Sequence, residues 1–142
     1  MKKIILLISI FLFLFLNNVQ AYGPYNAVAL KVIDGDTIRL EVEVWPTIAA
    51  HVDLRLLGID TPEIYRPNCT KEKELGLKAQ AFVVELLKLD ALVIINKIKE
   101  DKFSGRVDGI LIAEGRNVGD ALLKAGLAKE WNGVGPKPNW CL

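Results

Sequence analysis

Histidine and cysteine are almost missing from this chain of 142 residues: His51 is its only histidine, and Cys69 and Cys141 are its only cysteines. A four-ligand zinc site would need all three and a carboxylate besides. Neither the C-x-x-C nor the H-x-x-x-H spacing of such sites occurs, so zinc chemistry of the usual kind is excluded. A serine-hydrolase triad would have to use His51, which lies in an alternating apolar stretch, and the chain has no nucleophile-elbow sequence. A surplus of one charge is missing too, with 18 Lys and Arg against 17 Asp and Glu. Internal repeats and low-complexity linkers are absent. So is a membrane-length apolar segment, because the run from Ile4 to Leu16, apolar but for Ser9, has 13 residues, where a span needs about 20.

That short run follows Met1, Lys2 and Lys3 and precedes the small residues Val19 and Ala21. A charged start, a short greasy core and small residues before a cut describe a secretory signal peptide. Residues 1–21 are therefore expected to be removed, and residues 22–142 to form one domain, exported to the periplasm or the exterior and not inserted in a membrane. Lys2 and Lys3 leave with the signal, so the mature chain carries 16 basic residues against 17 acidic ones. It has no global basic field for gripping a polyanion. In an exported chain an even pair of cysteines is expected to be a disulfide, Cys69 to Cys141, the alternative being two free thiols.

Hydrophobic period divides the mature chain. Residues 27–33 form an apolar run. Ile38, Leu40, Val42 and Val44 alternate with polar partners, as do Val52, Leu54 and Leu56, so three strands are predicted, with a turn at Asp34-Gly35-Asp36. From Lys71 to Lys88 the period becomes helical, with Leu75, Ala79, Phe82, Val83, Leu86 and Leu87 inward and Lys71, Glu72, Lys78 and Glu85 outward. Strands over 91–98 and 107–113 follow. A short helix from Val118 to Ala125 stops at Gly126, and the last dozen residues are too rich in Gly and Pro for regular structure. The fold is expected to be mainly β: a five-stranded OB-type barrel with a helix between strands three and four and a short C-terminal helix. A small α+β sandwich has the same element count and stays open on order alone.

Three polar clusters interrupt strand-like sequence: Asp34 to Thr37, Arg55 with Asp60 to Glu63, and Asp101-Lys102 with Gly105-Arg106. In a barrel of this order the first turn and the exit of strand three can converge, bringing Asp36, Asp60 and Glu63 together. Gathered carboxylates repel unless protonated or bridged by a cation, and oxygen-only ligation points to calcium or magnesium. Arg55 and Arg106 then suit bidentate contact with an anion, phosphate being the best geometric match.

The runs VIDGDTIRL (Val32 to Leu40), RLLGIDTPE (Arg55 to Glu63), DKFSGR (Asp101 to Arg106) and NVGDALLKAGLA (Asn117 to Ala128) occur in this order. Together they resemble the staphylococcal nuclease, or thermonuclease, family. The resemblance implies an OB-fold, calcium-dependent phosphodiesterase that cuts DNA and RNA; a monomer is expected besides. By motif, Asp36, Asp60 and the Thr61 backbone carbonyl would ligate calcium, with Asp34 behind them. Glu63 matches the general base, and Arg55 and Arg106 match the arginines that hold the phosphate. Lys102, Phe103 and Trp131 are the candidates for further substrate contact.

The turn before Arg106 is one residue longer than the common form, and the long basic C-terminal helix of the type member is missing. A competing reading is a non-catalytic OB module for single-stranded nucleic acid. Acidic residues facing a polyanion argue against it. An acid protease, suggested by Asp60-Thr61, is opposed by Pro62 and by the single short domain.

Overall fold

Alternating apolar residues become the lining of a barrel. The computed structural model describes residues 22–142, and the expected signal segment, residues 1–21, lies outside the described residues. Strands β1 (Tyr25–Val32), β2 (Thr37–Trp45) and β3 (Ile48–Leu56) pair antiparallel in sequence, and β5 (Leu92–Glu100) and β6 (Arg106–Ala113) form a second antiparallel pair. β1 joins the two groups by pairing with β5. β3 then pairs in parallel with β6, from Asp53 opposite Arg106 to Leu56 opposite Gly109, and this closes the sheet on itself. Closure excludes the sandwich and leaves the OB-type barrel. Its interior is filled by Ile38, Leu40, Leu54, Leu56, Ile95 and Leu111, each at most 1 % exposed.

β3 begins at Ile48, three residues earlier than its alternation suggests, because Trp45 pairs with Ile48 across a tight turn in which Thr47 takes a φ of 69°. Three two-residue pieces complete the strands: β4 (Ile59–Asp60), β7 (Arg116–Asn117) and β8 (Lys129–Glu130). β4 pairs with β8, Asp60 opposite Lys129, and so draws the start of the C-terminal segment to the exit of β3.

Helix α1 (Thr70–Leu87) covers one end of the barrel with Ala79, Val83, Leu86 and Leu87. The short α2 (Val118–Lys124) is capped by Asn117, whose side chain accepts from the Gly119 and Asp120 amides, and it ends before Gly126 at a φ of 71°. One expected outward residue is corrected. Glu72 is 3 % exposed, because its carboxylate turns back over the loop before α1 to accept from Asn68 N (2.5 Å), Asn68 Nδ2 (3.0 Å) and Glu63 N (3.4 Å). A carboxylate in a helix's first turn also meets the unpaired amides there favourably.

Cys69 is the N-cap of α1, and its sulfur is bonded to that of Cys141, 72 residues on, with the two Cα atoms 6.0 Å apart. A cross-link of that span contributes about 4 kcal/mol in the loop-entropy account. Its local effect is to fasten the C-terminal segment beside the start of α1.

Two glycines fit the loop that follows β4. A Cβ on Gly35 would lie 2.8 Å from Ala79 Cβ and 2.9 Å from Thr61 Oγ1, and one on Gly76 would lie 2.7 Å from the Pro62 carbonyl oxygen. The loop is thus clasped between the first turn and α1. Gly35→Ala is expected to cost about 1–3 kcal/mol through overpacking, read as a lower denaturation midpoint with an unchanged slope. A midpoint equal to wild type would show that the contact is slack.

Candidate functional site

The turn Asp34 to Asp36 and the loop Asp60 to Glu63 meet at the barrel's mouth. Asp36 is held from both sides: its Oδ2 accepts from Thr61 N at 3.1 Å and its Oδ1 from Thr37 Oγ1 at 3.1 Å. The Asp36 carbonyl also accepts from Leu56 N at 2.8 Å, which ties the turn to the end of β3. Behind it, Asp34 Oδ1 accepts from Asp36 N at 3.1 Å. Burial, with the negative charge of Asp36 beside it, pushes the Asp34 carboxyl up to about 7.

Arg55 stands between the two acidic residues that the sequence brings forward. Its Nη2 lies 3.6 Å from Asp36 Oδ2 and 3.7 Å from Asp60 Oδ1, with its side chain 13 % exposed. The same nitrogen reaches the Ile59 carbonyl at 3.5 Å, and the guanidinium lies 4.9 Å from the centre of the Trp131 ring. The structure therefore unites Asp36, Asp60 and Arg55.

Across a cleft of about 510 Å³ stands Arg106, in a separate ion pair. Its Nε and Nη2 donate to Asp101 at 2.7 and 3.2 Å, and its guanidinium packs 4.5 Å from the centre of the Phe103 ring. Burial pushes the Asp101 carboxyl up, but hydrogen bonds with Arg106, the Phe103 amide and Asp108, together with the charge of Arg106, outweigh it and hold the group below the usual range. Asp108 is raised by burial and by Asp101 beside it. Phe103 is 55 % exposed, and Lys102 Nζ lies 5.3 Å from its ring. Lys102, Phe103, Trp131 and Glu63 all line this cleft with the two arginines. A chain of nearly balanced charge thus concentrates cations at one opening, which suits a polyanion.

Two residues that sequence reasoning passed over complete the site, both from the C-terminal segment. Lys137 Nζ lies 2.6 Å from Glu63 Oε1 and 3.0 Å from Asp60 Oδ1. Burial works against its charge, yet Glu63 and Asp60 more than offset that and raise its affinity for the proton. The Trp140 indole donates from Nε1 to Asp60 Oδ2 at 3.1 Å, and both side chains are buried. The signal that could have found them is the cysteine pair. Cys69 lies six residues beyond Glu63, so a tail tied to it by Cys141 must pass the acidic loop.

The acidic groups suit a hard cation in kind. Asp60 Oδ1 is buried and accepts no hydrogen bond, the Lys137 ammonium beside it forming an ion pair without hydrogen-bond geometry. Among the described residues no three Asp, Glu, His or Cys side chains gather as a cage. Two carboxylates, a backbone carbonyl and water are the oxygen donors such an ion would find, a set that fits calcium.

His51, by contrast, is exposed and 3.0 Å from Glu41 Oε2 on the outside of the barrel, remote from this chemistry.

Comparison with known proteins agrees with the geometry. A family model described as staphylococcal nuclease homologue matches residues 53–139, a stretch that holds Arg55, Asp60, Glu63, Arg106 and Lys137. The uncharacterized protein MJ1439 of Methanocaldococcus jannaschii is 32 % identical over 134 residues, which cover 78 % of this chain and 61 % of that protein. Endonuclease YhcR of Bacillus subtilis is 34 % identical over 115 residues, covering 77 % of this chain and 9 % of the relative. The chain spans less than two thirds of the length of either relative. With the barrel, the motifs and a match over more than half its residues in agreement, this chain belongs to the staphylococcal nuclease homologue family.

Proposed function

We propose that this protein is an exported, calcium-dependent nuclease that hydrolyses phosphodiester bonds of DNA, RNA or both, acting as a monomer. The observation that carries the reading is the convergence of Asp36 and Asp60 on Arg55, with Glu63 and Arg106 on the same cleft. The endonuclease name of the Bacillus subtilis relative supports it. The disulfide accords with an oxidising compartment. Among the described residues no helix is long and apolar enough to cross a membrane.

Calcium would be held by Asp36, Asp60 and the Thr61 carbonyl, with Asp34 supporting Asp36 through its amide. When bound, the cation supplies Lewis-acid stabilisation of the phosphate oxygens.

The protein's own groups do the rest. Glu63 accepts a proton from the water that attacks phosphorus in line, the bond to the 5′-oxygen breaks, that oxygen takes a proton from solvent to leave as a 5′-hydroxyl, and a 3′-phosphate end remains. Arg55 and Arg106 hold the phosphate from two sides and neutralise charge gathering on its equatorial oxygens. The exposed ring of Phe103 and the ring of Trp131 offer faces for unstacked bases, and Lys102 a phosphate contact. Glu63 is ion-paired with Lys137, so that ammonium must yield before the carboxylate can take a proton. At 44 % side-chain exposure it has room to do so.

The test is cleavage of denatured DNA and of RNA by the purified protein with calcium, with magnesium and with chelator. Cutting that calcium supports and chelator abolishes is expected. Binding of single strands without cutting in any condition would make the barrel a binding module instead.

A further inference from the structure

We propose that Trp140, carried into the site by the disulfide-fastened C-terminal segment, is a positioning residue that aims the Asp60 carboxylate at the cation. The proposal rests on the calcium reading above and adds to it a part of the site that lies outside the nuclease motifs.

Asp60 is 1 % exposed, so its two oxygens are largely withdrawn from bulk solvent and their direction is set by protein donors. Oδ2 accepts the Trp140 indole N–H at 3.1 Å, while Oδ1 accepts no hydrogen bond. The division is the one a ligand carboxylate needs: one oxygen anchored, the other presented. An indole suits the anchoring role because it is a donor only and carries no charge, so it fixes the plane of the carboxylate without neutralising it. The ammonium of Lys137 differs. It stands 3.0 Å from the presented oxygen and is part-exposed, and Arg55 Nη2 lies 3.7 Å from the same oxygen.

Trp140 is itself held in place. Lys129, opposite Asp60 in the β4–β8 pair, lies 4.4 Å above the indole ring and donates to the Asn139 carbonyl at 2.7 Å. The next residue, Cys141, is bonded to Cys69 at the start of α1, and its amide donates to Asn139 Oδ1 at 2.8 Å. The ring is 6 % exposed. A donor fixed this firmly on the outer oxygen lowers the reorganisation that Asp60 must undergo when the ion arrives, and losing such partners of metal ligands typically weakens affinity about 10- to 100-fold.

Calorimetric titration of calcium into wild type and Trp140→Phe, which keeps an aromatic ring but loses the N–H, measures the effect without reference to activity. The expected result is saturable binding by wild type and a dissociation constant about 10- to 100-fold higher in the variant. A second measurement needs no variant. In the ¹H–¹⁵N spectrum of wild type the indole resonance of Trp140 should move as calcium is added, while that of Trp45, 69 % exposed at the end of β2, should not. If Trp140→Phe fails to fold, this spectrum decides.

No calcium uptake by wild type would overturn the calcium reading of the site and this proposal with it. Uptake by wild type with equal affinity in Trp140→Phe, or a Trp140 indole resonance indifferent to calcium, would overturn the positioning role and leave the calcium reading standing.

Discussion

Arg106→Ala is expected to slow phosphodiester cleavage by about 100- to 1,000-fold, the range for deleting one preorganised donor to a developing oxyanion. Arg106 gives a cleaner test of the phosphate clamp than Arg55. Removing Arg55 would leave Asp36 and Asp60 buried beside each other without their shared cation, so lost activity would be mixed with lost folding. Arg106 lies at the rim, its side chain 27 % exposed, and its partner Asp101 keeps the Phe103 amide as a donor when the guanidinium is gone. Arg106→Lys should recover little, because a point charge cannot reproduce the planar fork that meets two phosphate oxygens. A rate for Arg106→Ala equal to wild type would mean that the lengthened turn has taken this arginine out of the reaction.

Glu63→Gln is expected to lower turnover by at least about 100-fold, the low end for losing a general base. Glutamine keeps the shape and one acceptor oxygen, so the loop and its Lys137 contact are the least disturbed by this change. What disappears is the ability to take a proton from water. The loss should therefore appear in kcat, with substrate affinity little altered, because the interaction removed is made in the transition state. Unchanged turnover would remove Glu63 from the base role.

Elements whose information is local were legible in the sequence. The period of two in Ile38 to Val44 and the helical period from Leu75 to Leu87 each fixed an element to within a residue or two. Asp36, Arg55 and Asp60 were legible as a group because polar clusters at strand ends have few places to go in a small barrel, and the nuclease resemblance named them residue by residue.

Barrel closure was less visible, since the parallel pairing of β3 with β6 joins residues about fifty apart and leaves no local pattern. The part that the tail plays in the site is equally absent from local pattern. Its Gly and Pro content does forbid helix and strand beyond Glu130, as expected, but irregular backbone is not idle backbone. The disulfide and the β4–β8 pair hold it against the acidic loop, and that places Lys137 and Trp140 on Asp60. Helical period alone puts Glu72 on the outward face. Its burial follows from the unpaired amides of the preceding loop, which periodicity does not register.

The centre of the proposed function is that Asp36 holds a cation on which cutting depends. Cleavage and binding of denatured DNA, measured side by side in calcium for wild type and Asp36→Asn, test it most directly. Asparagine keeps a side-chain oxygen for the Thr61 amide and removes the charge, and a melting midpoint near wild type would certify the fold. The account predicts that wild type cuts and that Asp36→Asn still binds the strand while its cutting is lost. Equal cutting by the two proteins would contradict it.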